Sequence, residues 1–123
     1  MDKWQTLQSF WAGFDWPAYD ESSVPDDASL PYITYQASVS DFHGGTIGLS
    51  ASLWDRSTSW AAISQKAEQI GQYISSGGVI LPYNGGALWL KRAGAFAQRM
   101  SDPNDDMIRR IVLQIEADFI SDN

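Results

Sequence analysis

The stretch Met107-Ile108-Arg109-Arg110-Ile111-Val112-Leu113-Gln114-Ile115-Glu116-Ala117-Asp118-Phe119 decides the fold. Its odd positions, Ile111, Leu113, Ile115, Ala117 and Phe119, are apolar, while Arg110, Gln114, Glu116 and Asp118 fall between them. Side chains along a strand alternate between the two faces of a sheet, so this period of two predicts a long strand with one buried face. A helix would scatter the same apolar groups around its whole circumference. The strand is expected inside the sheet, with Ile111, Leu113 and Ile115 packed on a covering helix.

Working back from it, Ala93 to Asp106 reads as irregular, because Asp102-Pro103-Asn104-Asp105 is turn chemistry. Val79–Tyr83 and Ala87–Arg92 flank Asn84-Gly85-Gly86, and Asn-Gly between two apolar runs is the strongest short-range hairpin signal. Upstream, Trp60, Ile63, Ala67, Ile70 and Ile74 recur every three or four residues, which predicts an amphipathic helix. Ser57, Thr58 and Ser59 offer caps at its start, and Gly77-Gly78 ends it. Tyr32 to Phe42 and Thr46 to Asp55 alternate like strands around His43-Gly44-Gly45, predicting a second hairpin.

The first fourteen residues form an amphipathic helix in this reading. Asp2 is its cap, and Trp4, Leu7, Trp11 and Phe14 make a stripe that Phe10 widens. Residues 15–31 carry Pro17, Pro25 and Pro31 among five acids, which predicts a long mobile surface loop. The expected order is α-β-β-α-β-β-β. That order predicts one α+β domain, a predominantly antiparallel sheet with helices packed on one face, its core spanning residues 32–120.

Composition narrows the function. The chain has 123 residues, no cysteine and a net charge of −7. Disulfide scaffolds, thiolate metal sites and cysteine nucleophiles are excluded. No apolar run approaches the length of a membrane span, and the N-terminus lacks the pattern of a signal peptide, so a cytoplasmic product is expected. The acidity disfavours general or sequence-specific nucleic-acid binding.

Charge is uneven along the chain. Residues 1–31 hold six acids and one base, whereas Lys91, Arg92, Arg99, Arg109 and Arg110 gather five of the eight bases within twenty positions. The lone histidine, His43, reads as a turn residue, since one imidazole makes no zinc site by itself. Asp102, Asp105 and Asp106 lack the glycine and distal glutamate of a calcium loop and read as a solvated turn. With no nucleophile elbow, phosphate loop or paired histidines, no catalytic residues, cofactor or metal are expected. Trp60 reads as a core anchor of the second helix. Trp54 and Trp89 fall opposite the apolar positions of their strands, where an indole is either covered by packing within the domain or needs a partner.

Several motifs together resemble a known family. They are Pro31-Tyr32-Ile33-Thr34-Tyr35, Leu53-Trp54-Asp55-Arg56-Ser57-Thr58-Ser59-Trp60, Gly77-Gly78 with Asn84-Gly85-Gly86, and Phe96-Ala97-Gln98-Arg99-Met100 with Asp102-Pro103 and Arg109-Arg110-Ile111. Over about residues 30–120 the chain resembles the tail-terminator, or minor capsid, proteins of the head–tail junction of long-tailed bacteriophages, similar to that of phage lambda. The resemblance implies an α+β subunit of a ring, commonly a hexamer, that caps the tail tube and docks to the head connector. The implied location is the virion tail, reached through assembly in the host bacterial cytoplasm. The implied partners are other copies of the chain, the tail-tube protein and head-connector proteins.

A ring interface would draw on the basic residues, on Asp26 and Asp27, and on Trp54 and Trp89, with Arg92 and Arg99 foremost. The competing reading is a small non-catalytic prophage binding module or effector, acting as a monomer or dimer. Oligomeric state separates the two.

Overall fold

A computed structural model describes residues 1–39 and 46–121. The long terminal strand is there, running from Ile108 to Ser121 (β6), and it lies in the interior of a six-stranded sheet. With the other elements numbered along the chain, these are α1 Lys3–Ala12, β1 Ala18–Asp20, β2 Tyr32–Tyr35, β3 Thr46–Arg56, α2 Ala61–Ile74, β4 Val79–Tyr83 and β5 Gly86–Ser101. The strand order is β1-β2-β3-β6-β5-β4. Four pairings are antiparallel and one, β1 with β2, is parallel. The α+β class therefore stands, with a sheet that is mixed through one short pairing.

Both helices cover one face. Leu49, Ala51 and Leu53 of β3, Leu88 and Leu90 of β5, and the odd positions of β6 are buried against Ile63, Ala67, Ile70 and Ile74 of α2 and Leu7, Phe10 and Trp11 of α1. Full burial of such side chains contributes about 1.5–3 kcal/mol each. The α1 cap is as expected: Asp2 accepts the Gln5 N–H while the Gln5 side chain accepts the Asp2 N–H. Trp11 stacks on Tyr35, and the Lys66 ammonium donates to the Phe14 carbonyl at 2.7 Å, tying the helices together. One member of the expected stripe departs. Trp4 is 51% exposed, and Thr6 takes a buried position instead.

Three expectations about segments need correction. The acidic stretch 15–31 is not loop throughout, because Ala18–Asp20 pairs with Ile33, Thr34 and Tyr35. Ala18 is buried, and its carbonyl accepts from the Gln8 side chain at 3.0 Å, so packing overrides the proline and acid content. This adds a strand to the expected order. Of the strand predicted over Tyr32 to Phe42, Tyr32–Tyr35 forms β2, residues 36–39 leave the strand while Ala37 and Val39 still pack against the core, and residues 40–42 lie outside the described residues. The predicted His43-Gly44-Gly45 turn lies outside the described residues.

The segment beginning at Ala93 is also not irregular, since β5 continues to Ser101. Its pairing with β6 jumps from Arg92↔Ile115 to Ala97↔Leu113. Five steps along β5 (92 to 97) thus match two along β6 (115 to 113), leaving three extra residues in a bulge. Three is odd, so the side-chain alternation inverts across the bulge. Before it, Leu88, Leu90 and Arg92 face the helices; after it, Ala97 and Arg99 do. Phe96 seats the bulge by lying over Gly71 of α2, where any Cβ would stand only 3.0 Å from its ring.

The Asn84-Gly85 hairpin forms as predicted, with Gly85 at φ 95°. Gly86 beside it has no room for a side chain, because a Cβ would sit 1.9 Å from the Ile120 carbonyl oxygen. The helix stop is shared: Ser75 takes φ 61° and Gly78 takes φ 84°.

Candidate functional site

The sheet register assembles the basic residues that the sequence scatters. Four rows in succession hold Arg56 with Ile108, Asp55 with Arg109, Trp54 with Arg110, and Leu53 with Ile111 and Arg99. Four of the five arginines therefore meet at one end of the sheet, beside the start of α2. Arg92 lies beyond the bulge on the same strand as Arg99, and Lys91 is next to it.

Two tryptophans at this end are roofed by guanidinium groups. Trp60 has Arg99 at 5.0 Å and Arg109 at 5.2 Å from its ring centre, one from β5 and one from β6. Arg99 also donates to the Ser64 hydroxyl, and Arg109 to the Thr58 carbonyl, both at 3.2 Å. On the opposite sheet face, Arg110 lies 4.6 Å over Trp54 and donates through Nε to the Ser52 hydroxyl. The Trp54 indole N–H is satisfied by the Thr34 hydroxyl at 2.9 Å. Farther along that face, Lys91 lies 4.3 Å over Trp89, whose N–H donates to the Gly77 carbonyl. Each such cation–ring contact contributes about 0.5–1 kcal/mol when solvent-accessible.

Charge pairing is sparse. Lys91 bridges to Asp118 at 2.9 Å, and Arg56 bridges to Asp105 at 2.6 Å. Among the described residues, Arg92, Arg99, Arg109 and Arg110 have no carboxylate within ion-pair reach, and the Arg109 Nε is buried without a hydrogen-bond partner. Asp26 and Asp27, in an exposed turn closed by the Ala28 N–H on the Pro25 carbonyl, likewise have no cation. The Asp118 carboxyl is held below its ordinary value of 3.8, first by the Thr46 hydroxyl and then by Lys91. Asp105 is lowered by the Met107 N–H and then by Arg56. Of the predicted acidic loop turn, Asp105 is therefore a structural residue, and no group of three or more potential metal ligands gathers among the described residues.

Between α2 and the second half of β5 runs an open groove of about 340 Å³. Ala67, Gly71, Phe96 and Ile111 line it with apolar surface, and Arg92, Arg99 and Glu68 supply charge. Arg92 and Arg99 are foremost among the expected interface residues, beside and within the stretch expected to be irregular. They instead share one strand and one groove, because the bulge turns both to the helix side.

The sequence reading missed three features. It left open whether packing covers Trp54 and Trp89 or a partner must, and each is partly buried beneath a cation of its own chain. The Trp89-x-Lys91 spacing could have shown one of these, since residues two apart share a strand face. It missed the contact of Arg99 and Arg109 with Trp60, which joins three separate elements, and the groove, which depends on the bulge. Searches of family models, curated proteins and solved structures found no match to the chain.

Proposed function

We propose that this protein is a structural subunit of the head–tail junction of a long-tailed phage or prophage, a tail terminator that forms a ring, commonly a hexamer, capping the tail tube and docking to the head connector. It works in the host bacterial cytoplasm during assembly and then in the virion tail. The resemblance over residues 30–120 suggests the role. The observation that carries it is the charge left unpaired among the described residues: arginines at one region of the sheet lack carboxylates, while Asp26 and Asp27 lack cations. A ring subunit needs two different surfaces that complement each other, since only a heterologous contact repeats around an axis. Ion pairs across such a contact fix register and partner choice more than they add affinity.

Sedimentation of the purified chain, alone and with tail-tube subunits, tests this reading. Rings visible by negative-stain microscopy, or a defined oligomer that binds the tube end, are the expected result. A chain that remains a monomer or a two-fold dimer under both conditions, and leaves tube length unregulated, overturns it in favour of the prophage binding module.

A further inference from the structure

We infer that adjoining subunits meet edge to edge, the Asp26–Asp27 turn of a second copy entering the groove between α2 and β5 opposite Arg92 and Arg99. The inference rests on the ring reading and names its contact. Its first ground is an open strand edge. The partner β4 ends at Val79↔Leu90, so β5 from Ala97 to Ser101 is paired with β6 on one side only. Edges of this kind recruit other chains unless they are blunted.

Its second ground is the groove beside that edge, with apolar lining and two exposed arginines. Among the described residues, the Arg92 side chain makes no hydrogen bond or ion pair, and that of Arg99 makes none with a carboxylate. Glu68 also lines the groove, so the local balance is two cations to one acid, a net positive charge that favours an incoming carboxylate.

The third ground is position. The Asp26–Asp27 turn connects β1 to β2, the two strands at the far side of the same sheet. The β1 edge itself is blunted, being three residues long with its Ala18 carbonyl taken by Gln8 and Asp20 turned onto Ser22. The projecting turn is therefore what that side offers. Donor and acceptor surfaces at opposite edges of one sheet generate a head-to-tail contact, which closes into a ring when the rotation permits.

The test is a charge swap in the full-length chain. Arg92→Glu, on an exposed side chain, should weaken assembly measured by sedimentation about ten-fold or more while circular dichroism stays unchanged. Adding Asp26→Lys and Asp27→Lys to the same chain should restore it. Because the chain has no cysteine, Arg92→Cys subunits mixed with Asp27→Cys subunits should also cross-link through a short bis-maleimide as heterodimers. Rings that persist in Arg92→Glu, or homodimers in place of heterodimers, would overturn the edge contact and leave the ring reading intact. Wild-type protein that never assembles would overturn both.

Discussion

At the scale of single residues, the cations of this chain act mainly on rings. Arg56 instead bridges to Asp105, and Lys91 does both, held between the Trp89 face and the Asp118 carboxylate. Asp118 takes up a proton less readily in the folded chain than in the unfolded one, because Thr46 and Lys91 favour its charged form. The unfolded state therefore binds more protons as pH falls, and stability declines with it. The contribution is complete above the ordinary value of 3.8 and is lost as pH drops through the lower folded value. Asp20 and Asp105 act in the same direction. Asp118→Asn should destabilise the protein at neutral pH, and the gap from wild type should close in urea titrations below about pH 4. A gap of constant size would show that Asp118 acts through packing alone. The sequence made the Trp89–Lys91 contact readable, since both lie on one strand two residues apart. It could not reveal Trp54 with Arg110, because a cross-strand pair exists only once the register is known.

At the scale of elements, β6 was the most legible part of the chain and is the most consequential. Its burial alternates without a break from Ile111 to Phe119, and that leaves its mark on every odd residue even though Val112 is apolar on the other face. Leu113 is fully buried at the centre of that face, paired on either side with Ala51 and Ala97. Leu113→Ala should cost about 2–5 kcal/mol in chemical denaturation with an unchanged slope. A loss below about half a kcal/mol would contradict the packing described. The short β1 was not legible for the converse reason. Its three residues carry too little pattern, and its pairing depends on contacts with α1 and β2 distant in sequence. The distal half of β5 misled for a third reason, because alternation that changes phase midway does not look like alternation.

At the scale of the whole molecule, a layer of two helices closes one face of the sheet, and the two lateral edges differ in charge and in pairing. The sequence displayed the charge asymmetry along the chain, but only the topology turns it into an asymmetry across space. The acidic segment around β1 and the turn to β2 sits toward the opposite margin from Arg92 and Arg99 of β5, because β3 and β6 lie between. The bulge in β5 also sets where a change in length is tolerated. Residues paired across two strands share a face, so Ala97 and Arg99 stay on the helix side for as long as they lie opposite Leu113 and Ile111. Removing one of residues 93–95 shortens the bulge and leaves that register in place. β6 has no such slack, because it pairs with β3 without a shift from Arg109 to Asp118. Removing Val112 would turn over every side chain on one side of the gap. A single deletion within 93–95 should therefore lower the melting temperature less than deletion of Val112 does. The same reasoning predicts where length would drift among descendants of this gene: at the bulge, with β6 held to one count.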